Sequence, residues 1–457
     1  MTTLPGSRIS SFLQPGRRAH LVGIGGVSMR PLGLVLRSMG MEITGSDMNA
    51  SVSTDELMEK GIQVSIGHRA ENVEGADCVI RTAAAHNDNP EIMGARALGI
   101  PIFERAEAWG HIMRSYGNAI CVSGTHGKTT TTSMLTHIFM QAEKDPTVMI
   151  GGTLPLLGAG HRVGSSDTII LESCEYFDSF LNFFPTTAVI LDIDADHLDY
   201  FGDLGSIKAS FRKFASLVPE NGLIVANGDD ENTVSALEGM DYLSFGFGEK
   251  NCVRGENFSS DYSEFDVFCA QRLYGRVRLG VIGRHNAMNA LAACAVAWKN
   301  DISCQTVCDA LSSFHGASRR LEFKGSFHGA DLYDDYAHHP GELKALLDAV
   351  RMKGYRRIVC AFQPHTYTRT KALFSDFVRE LRTVDLAVLT DIYAAREQNQ
   401  CGICSQDLAA QIPGSVYCPS LPELSAYLAD IAAPGDIILT VGAGDIYKAG
   451  EALLKKN

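Results

Sequence analysis

A short glycine-rich segment between an apolar run and a Thr-rich run constrains the fold of this chain more than any other feature. The apolar run, 119–122, has the character of a buried strand, and the residues after 130 have that of a helix. Between them lie Gly124, Thr125, His126, Gly127, Lys128, Thr129 and Thr130. Strand, loop and helix in this order are typical of a phosphate-binding loop, here a variant with Val122 where a further glycine is common. Backbone N–H groups would hold the phosphates, Lys128 would contact the β and γ oxygens, and the Thr129 hydroxyl would bind Mg²⁺.

Short apolar runs alternate with helical patterns along the whole chain. The runs predicted as strands are 20–24, 41–45, 77–82, 100–103, 119–122, 168–171, 188–191, 223–226, 358–362, 386–390 and 437–441. This alternation indicates parallel sheets with crossover helices. Because 457 residues exceed one ordinary core, we predict three α/β domains, at 1–117, 118–317 and 318–457.

The composition excludes several classes of partner. A net charge of −13 argues against nucleic acid or an anionic membrane as a bulk partner. No apolar run approaches the length of a membrane span, and 1–20 does not have the pattern of a signal peptide, so we predict a cytoplasmic protein. The twelve cysteines are scattered, which favours reduced thiols. Cys401 and Cys404 have metal-site spacing, but the second half of a zinc site is missing nearby.

Acidic residues follow two of the predicted strands. Glu172 ends the run 168–171, and the run 188–191 continues into Asp192, Asp194, Asp196, His197 and Asp199. Four carboxylates at one strand end repel one another unless a cation or a bound partner offsets their charge. We therefore predict a metal site with Thr129, Glu172 and His197 as ligands, against the alternative of a solvated acidic loop.

A second glycine loop lies near the N-terminus. Gly23, Gly25 and Gly26 follow the first predicted strand, but Ser28 stands where a dinucleotide fingerprint has its third glycine. Asp47, after the second strand, would suit a ribose. Taken alone, these residues favour a nicotinamide-dependent oxidoreductase, but that interpretation leaves the loop 124–130 without a role.

Six segments of the chain resemble the Mur ligase family of peptidoglycan synthesis, and the resemblance spans nearly the whole sequence. They are Gly23 to Met29, Gly124 to Thr130, Asp196 to Asp199, Gly283 to Asn289, Asp334 to Pro340 and Phe362 to Arg369. The last two resemble the alanine-adding members in particular. The resemblance implies a Rossmann-like N-terminal domain for the UDP-sugar, a central P-loop ATPase-type domain, and a Rossmann-like C-terminal domain that closes over ATP and binds the amino acid.

The resemblance also implies an activity and a set of residue roles. The activity is ATP-dependent ligation of L-alanine to the carboxylate of UDP-N-acetylmuramate through an acyl phosphate, with Mg²⁺ or Mn²⁺, in a monomer or weak homodimer. Gly23, Gly25, Gly26 and Asp47 would then bind the sugar nucleotide. The implied ATP contacts are His285, Asn286, Asn289 and Asp335, the last at the ribose. Lys128, His197 and Arg320 would be catalytic, with Arg320 near the transferred phosphate. Tyr336, His338, His365 and Arg369 would form the amino-acid pocket.

These roles agree with the chemistry of the side chains. The guanidinium of Arg369 can hold a carboxylate with two hydrogen bonds, and Tyr336 beside a methyl-sized pocket would exclude larger amino acids. Either His197 or His338 could take the proton from the amine. Considered singly, His338 and His339 could be ordinary loop histidines, and Arg369 a surface arginine.

Two further alternatives remain at the level of sequence. A sister ligase that adds D-glutamate or a peptide would share most of the motifs. A non-enzymatic nucleotide switch would explain the phosphate loop, but not the acidic run or the His- and Arg-rich segments of the last third.

Overall fold

The computed structural model describes residues 9–82, 84–395 and 397–456, without the side chain of Asp199. Within these residues the chain forms two compact units. One comprises residues up to 256 together with 267–275 and 289–311, and the other comprises 257–266, 276–288 and residues from 312 onwards. No helix in the described part of the chain is long and apolar enough to cross a membrane.

The N-terminal third forms a five-stranded parallel sheet. Its elements are β1 Arg18–Val22, α1 Met29–Ser38, β2 Glu42–Asp47, α2 Val52–Glu59, β3 Gln63–Ile66, β4 Cys78–Arg81, α3 Pro90–Ala97, β5 Ile102–Glu104 and α4 Arg105–Met113. The strand order is β3-β2-β1-β4-β5. Because β1 pairs with both β2 and β4, the order reverses at the glycine loop that follows it. Ligands of open α/β sheets bind at such a reversal.

A buried carboxylate ties one face of this sheet to α3. Glu91 lies in the first turn of α3 and is fully buried. Its Oε2 accepts a hydrogen bond from the Ser46 hydroxyl (2.6 Å) and lies 3.1 Å from Nδ1 of His68. Burial alone would raise the pKa of Glu91, but hydrogen bonds from His20, Ser46 and Asn72 outweigh it and lower the pKa to about 2.

The central part of the chain forms a ten-stranded sheet. Its elements are β6 Asn118–Ser123, α5 Lys128–Gln141, β7 Thr147–Leu154, β8 Ala159–Arg162, β9 Thr168–Glu172, β10 Thr187–Ile190, α6 Leu198–Phe201, α7 Leu204–Ala215, β11 Leu223–Asn227, α8 Glu231–Ala236, β12 Leu243–Gly246, β13 Val253–Glu256, β14 Glu264–Cys269, β15 Arg272–Arg278, α9 Arg284–Lys299 and α10 Cys304–Ser312. The order is β15-β14-β13-β12-β11-β10-β6-β9-β7-β8. Since β6 pairs in parallel with β9 and β10, their carboxyl ends share one edge.

The last third forms a six-stranded sheet of order β16-β17-β21-β18-β19-β20. Its elements are β16 Glu322–Phe327, β17 Ala330–Asp335, α11 Pro340–Arg351, β18 Arg357–Phe362, α12 Tyr367–Ala372, α13 Phe374–Leu381, β19 Leu386–Leu389, α14 Ser405–Gln411, β20 Val416–Tyr417, α15 Leu421–Ile431, β21 Asp436–Val441 and α16 Tyr447–Leu454. Only β16 is antiparallel to its neighbour among the pairings described here. Alternate side chains of β18 enter two apolar cores, one on each face, which explains its continuous apolar sequence.

The predicted fold class is confirmed, because three mainly parallel sheets follow one another along the chain. Each predicted apolar run overlaps a strand. The sequence did not indicate the antiparallel pairs β7–β8 and β16–β17, or the strands β3, β12 to β15 and β20. The domain boundaries at 117/118 and 317/318 stay a prediction.

Candidate active site

The phosphate-loop segment lies where β6 ends and α5 begins. Gly127 is the residue before α5 and has a φ of +81°, a conformation that glycine adopts without steric cost. A Cβ at this position would overlap Oδ1 of Asn289, a residue on α9. Asn289 is therefore packed against the loop. Thr125 is also fixed, because its N–H donates to the carbonyl oxygen of Asp192 (3.1 Å) and its hydroxyl accepts from the N–H of Asp194 (2.8 Å).

Lys128 points back onto its own loop. Its ammonium donates to the carbonyl oxygens of Gly124 and Thr125, the latter at 3.0 Å, and to Oε2 of Glu175 at 3.0 Å. Burial alone would lower the pKa of Lys128, but the charge of Glu175 outweighs this and raises the pKa above its usual value. The lysine is thus charged at neutral pH, and a buried carboxylate holds it. Glu175 was not among the predicted site residues.

The side chains of Thr129 and Glu172, each of which could bind a metal through oxygen, meet beside the loop. The hydroxyl of Thr129 donates to Oε1 of Glu172 (3.2 Å), and Oε2 of Glu172 accepts the N–H of Gly151 (2.7 Å). The parallel register of β6 and β9 pairs Val122 with Glu172, which brings the carboxylate to the loop. A hydroxyl and a carboxylate are the hard oxygen ligands that Mg²⁺ prefers, so these residues fit the predicted magnesium site.

The acidic run after β10 is less repulsive than its sequence suggested. Backbone N–H groups of His126, Ala195 and His197 donate to the carboxylates of Asp192, Asp194 and Asp196, at 2.8, 2.7 and 2.7 Å. Burial nevertheless raises the pKa of Asp192 to about 6. The backbone therefore offsets much of the repulsion from which we predicted a cation. The side chain of Asp199 lies outside the described residues.

His197 faces acidic and aromatic neighbours. It precedes α6 with a φ of +53°. Its Nε2 lies 3.7 Å from Oε1 of Glu175 and 3.8 Å from Oδ2 of Asp196, and its ring stacks on Tyr176 with centroids 4.2 Å apart. Two of these neighbours, Glu175 and Tyr176, belong to the segment after β9, so that segment and His197 form one cluster.

The N-terminal glycine loop contains the predicted residues Gly23, Gly25, Gly26 and Asp47. The N–H of Gly25 donates to Oδ2 of Asp47 (2.9 Å), and that of Gly26 donates to the carbonyl oxygen of Gly23 (3.1 Å). A Cβ on Gly25 would lie 2.9 Å from the same Asp47 oxygen, which explains the glycine. Asp47 thus holds the loop in this structure.

A cavity of about 390 Å³ lies at the end of β4 and the start of α4. Arg81 and Arg105 line it together with His86 and Asn87. The guanidinium of Arg105 donates to the hydroxyl of Ser28 on the glycine loop. Neither arginine was among the predicted site residues, because no local motif marks them.

Asp335, the predicted ribose contact in the second unit, is buried. Asp335 ends β17, and its two oxygens accept the N–H groups of Leu321 (2.7 Å) and Ala337 (2.8 Å). Burial raises the pKa of Asp335 to about 6, although the positive charge of Arg320 opposes the shift. Burial likewise lowers the pKa of His285 to about 4, so this imidazole is neutral at pH 7.

Two further predicted residues have local partners. The amide of Asn286 donates to the carbonyl oxygen of Ile282 (2.8 Å). The guanidinium of Arg320 lies over the Tyr336 ring, 5.5 Å from its centroid, and 3.9 Å from Oε1 of Glu342.

The four predicted amino-acid pocket residues lie together. The rings of Tyr336 and His338 are 5.5 Å apart in an edge-to-face arrangement, and those of His338 and His365 are 5.8 Å apart. Nη1 of Arg369 lies 3.4 Å from Nδ1 of His365. Residues from the ends of β17 and β18 therefore converge, as the carboxyl ends of neighbouring parallel strands require.

Arg319 is a residue that the sequence analysis missed. Its guanidinium donates to Oδ2 of Asp334 (2.8 Å) and to the carbonyl oxygens of Gly442 and Gly444, the latter at 3.2 Å. It also lies 4.9 Å from the ring centroid of Tyr336. Arg319 thus connects the end of β17 to the loop after β21.

Three consecutive stretches of the chain match families of the Mur ligases. Residues 18–117 match the family described as "Mur ligase family, catalytic domain", residues 122–297 match "Mur ligase middle domain", and residues 319–444 match "Mur ligase, glutamate ligase domain". These stretches cover the three sheets described above, apart from residues 118–121 of β6.

Proteins named UDP-N-acetylmuramate–L-alanine ligase are similar over nearly the full chain. One from Acetivibrio thermocellus is 44% identical over 97% of this chain and 97% of its own, and one from Caldanaerobacter subterraneus is 42% identical over 97% and 99%. The crystal structure of the UDP-N-acetylmuramate–alanine ligase from Thermotoga maritima is 28% identical and superposes with a TM-score of 0.82, covering 96% of this chain and 98% of that one. A murein peptide ligase from Psychrobacter arcticus has a TM-score of 0.73, covers 96% of this chain and 98% of its own, and is 23% identical, a likeness of fold alone.

Proposed function

The chain belongs to the Mur ligase family, and from this premise we propose that it joins L-alanine to the carboxylate of UDP-N-acetylmuramate with hydrolysis of ATP to ADP and phosphate. The product would be a peptidoglycan precursor. The observation that carries the proposal is the loop 124–130 between β6 and α5, in a chain that is 42–44% identical to ligases of this name over nearly its full length. It is an ATP-dependent ligase.

The first step forms an acyl phosphate. A carboxylate oxygen of the sugar nucleotide attacks the γ-phosphorus of ATP, an O–P bond forms, and ADP leaves. Charge spreads over the γ-phosphoryl oxygens in this step, and Lys128 and Arg320 would offset it. For this, Lys128 turns from Glu175 towards the phosphates. Thr129, Glu172 and His197 would hold Mg²⁺, whose positive charge would further stabilise the transferred group.

The second step forms the amide bond. The amine of L-alanine attacks the acyl carbon, a C–N bond forms, the C–O bond to phosphate breaks, and inorganic phosphate leaves. The amine must also lose a proton, for which His197 and His338 are the candidate bases. The guanidinium of Arg369 would bind the carboxylate of L-alanine, and Tyr336 would limit the size of its side chain.

The sugar nucleotide would bind at the N-terminal glycine loop. Gly23, Gly25 and Gly26 lie at the strand-order reversal, where ligands bind in this type of sheet, and without side chains they would let the sugar nucleotide approach the backbone closely. Arg105 adds positive charge in the adjoining cavity, where Glu104 pairs with Arg81 (2.6 Å), and this charge suits the pyrophosphate or the carboxylate of the substrate. We place UDP-N-acetylmuramate along this surface.

The sister-ligase alternative is not favoured, because the relatives at 42–44% identity are named for L-alanine addition. The oxidoreductase alternative is likewise not favoured, since the glycine loop lies in a stretch that matches the Mur ligase family. A cytoplasmic location and a monomeric or weakly dimeric state stay predictions.

Phosphate release tests the proposal. The purified protein is incubated with ATP, Mg²⁺, UDP-N-acetylmuramate and, in turn, L-alanine, glycine, L-serine, D-glutamate or no amino acid. Release that needs both the sugar nucleotide and L-alanine is expected. Equal release without either substrate, or a preference for D-glutamate, would refute it. Lys128→Ala should abolish release while the thermal unfolding transition persists.

A further inference from the structure

Two thiols lie side by side on α10, and neither belongs to the predicted active site. Cys304 begins the helix and Cys308 follows four residues later, so both project from the same face. Their Sγ atoms are 3.6 Å apart, and one thiol donates a hydrogen bond to the other. Both residues are partly buried, and neither forms a disulfide. We call this pair the α10 dithiol.

The helix and its surroundings hold the two thiols in place. Ser303 directly precedes the helix, and its hydroxyl accepts the N–H of Thr306 (3.2 Å), which fixes the first turn. The buried Val307 lies on the same side of the helix as the thiols and anchors that side. The backbone of Gly275 on β15 lies against Cys304, because a Cβ at this glycine would overlap the Sγ atom. The missing side chain of Gly275 therefore leaves the space that the thiol occupies.

We propose that Cys304 and Cys308 together bind a trivalent arsenical through both sulfurs. The ligand class is a monosubstituted arsenic(III) compound, R–As=O. Two As–S bonds form, the oxo oxygen leaves as water with the two thiol protons, and arsenic stays trivalent, so that no oxidant or reductant is needed. This site stands on side-chain geometry and does not depend on the proposed function.

The separation of the sulfurs favours a bridging atom over a disulfide. A disulfide needs an S–S bond of about 2.05 Å and Cβ atoms about 3.5–4.5 Å apart, whereas side chains four residues apart on a helix have Cβ atoms about 5–6 Å apart. Closing a disulfide would therefore distort α10. Two sulfurs bound to one tetrahedral atom through bonds of about 2.3 Å are separated by about 3.8 Å. The observed 3.6 Å is close to that value.

The number of ligands favours arsenic over a metal ion. Zinc sites take three or four ligands from the protein. In the part of the chain that the structure describes, no third His, Cys, Asp or Glu ligand atom lies within 4.8 Å of both sulfurs. Monosubstituted arsenic(III) needs only two sulfurs, because its own substituent completes a pyramidal coordination. Its S–As–S angle is also smaller than tetrahedral, which brings the two sulfurs closer together.

The protonation of Cys308 suits this chemistry. Burial and the neighbouring thiol of Cys304 raise the pKa of Cys308 to about 12, so that this thiol is protonated at neutral pH. Alkylating reagents attack the thiolate, and we expect them to modify Cys308 slowly. Condensation with an arsenical instead consumes the thiol protons as water.

Phenylarsine oxide is the probe. The reduced, full-length protein is titrated with it, and intact mass spectrometry counts the adducts. We expect one phenylarsenic group per chain, with the loss of two hydrogens, that 1,2-ethanedithiol removes and 2-mercaptoethanol does not. Cys304→Ser and Cys308→Ser should each weaken binding at least about a hundredfold, because the second As–S bond then has no intramolecular partner. Thermal unfolding checks that each variant is folded.

The double variant Cys401→Ser/Cys404→Ser is the matched control. These two cysteines are closer in sequence, but their thiols have separate partners. Sγ of Cys401 donates to Oδ1 of Asn399 (3.8 Å), and Sγ of Cys404 donates to Oδ2 of Asp407 (3.2 Å). The control should therefore bind the probe as the parent protein does.

A second measurement needs no variant. The parent protein is treated with the probe and denatured in excess N-ethylmaleimide, and peptide mapping identifies the cysteines that escaped alkylation. Joint protection of Cys304 and Cys308 is expected. The absence of an adduct, an adduct that survives both single substitutions, its loss from the control, or protection of a different pair would overturn the site. Displacement of the probe by equimolar Zn²⁺ would identify a metal site instead.

Discussion

Glu175→Gln should tighten nucleotide binding, although it removes a buried ion pair. The ammonium of Lys128 lies 3.0 Å from Oε2 of Glu175, and only 3% of the Glu175 side chain is exposed. We expect Lys128 to leave this carboxylate when it contacts the triphosphate. The wild-type protein must therefore give up the ion pair on binding, whereas the variant has none to lose.

The magnitude follows from the burial and the distance. Two unit charges 3.0 Å apart attract by roughly 5–6 kcal/mol at an effective dielectric constant of about 20, before desolvation is subtracted. Removing one partner of a buried pair typically costs about 3–5 kcal/mol. Lys128 retains its hydrogen bonds to Gly124 and Thr125 in the variant. We therefore expect Glu175→Gln to destabilise the free protein by roughly 2 kcal/mol. In the nucleotide-bound state Lys128 has left Glu175, so the substitution should cost much less there. The Kd of the variant for the nucleotide should then be lower than that of the wild type by about tenfold or more.

Calorimetric titration with a non-hydrolysable ATP analogue and Mg²⁺ at constant salt measures this Kd. Glu220→Gln is the matched control, because Glu220 is exposed and the substitution makes the same change in charge. The control should bind as the wild type does. A Kd for Glu175→Gln that is unchanged or higher would show that Lys128 is not released from Glu175 on binding.

Three further predictions concern other parts of the molecule. Gly127→Ala should weaken ATP binding, measured by calorimetry, at least about a hundredfold, because the added Cβ overlaps Asn289 and the φ at this position is positive. Gly158→Ala is the control, because Gly158 also has a positive φ but lies in open space. This control should change the Kd for ATP by less than about threefold. Arg369→Lys should raise the KM for L-alanine at least about tenfold in the phosphate-release assay, since an ammonium cannot hold a carboxylate with two parallel hydrogen bonds; an unchanged KM would remove Arg369 from the pocket. The pKa of Glu91 is lower in the folded than in the unfolded state, so its stabilisation is present above about pH 4.5 and is lost as the pH falls towards about 2. Glu91→Gln should therefore lower the free energy of unfolding by roughly 3 kcal/mol near neutral pH, and by progressively less in acid. Urea unfolding at several pH values measures this loss. A loss that does not become smaller in acid would contradict the prediction.

The phosphate loop could be predicted because all its parts are consecutive in sequence. Its function depends on backbone N–H groups and on two side chains, Lys128 and Thr129, so one segment carries the signal. Glu175 is different. Glu175 and Lys128 are 47 positions apart in sequence. They meet because β9, which precedes Glu175, pairs with β6, which precedes Lys128. Strand pairing between distant segments is not visible in one sequence, so the carboxylate that holds the lysine was missed.

The acidic run shows a second limit of sequence reasoning. Repulsion among Asp192, Asp194 and Asp196 was a sound expectation for bare carboxylates, but turns place backbone N–H groups against each of them. The donors are backbone N–H groups, of Ala195 and of two histidines, which the residue types in the sequence do not mark. Arg105 was missed for a related reason, because its partner Ser28 lies 77 residues away.

The hydrogen bonds with which Arg319 connects two segments have a consequence for a ligand as small as L-alanine. So few atoms supply little gross binding energy, and any loop that had to become ordered around them would consume much of it. A single guanidinium instead joins the end of β17, at Asp334, to the loop after β21, at Gly444. The amino acid would meet side chains whose backbone supports are already fixed, so that its own modest contacts remain available for affinity and for choosing among side chains.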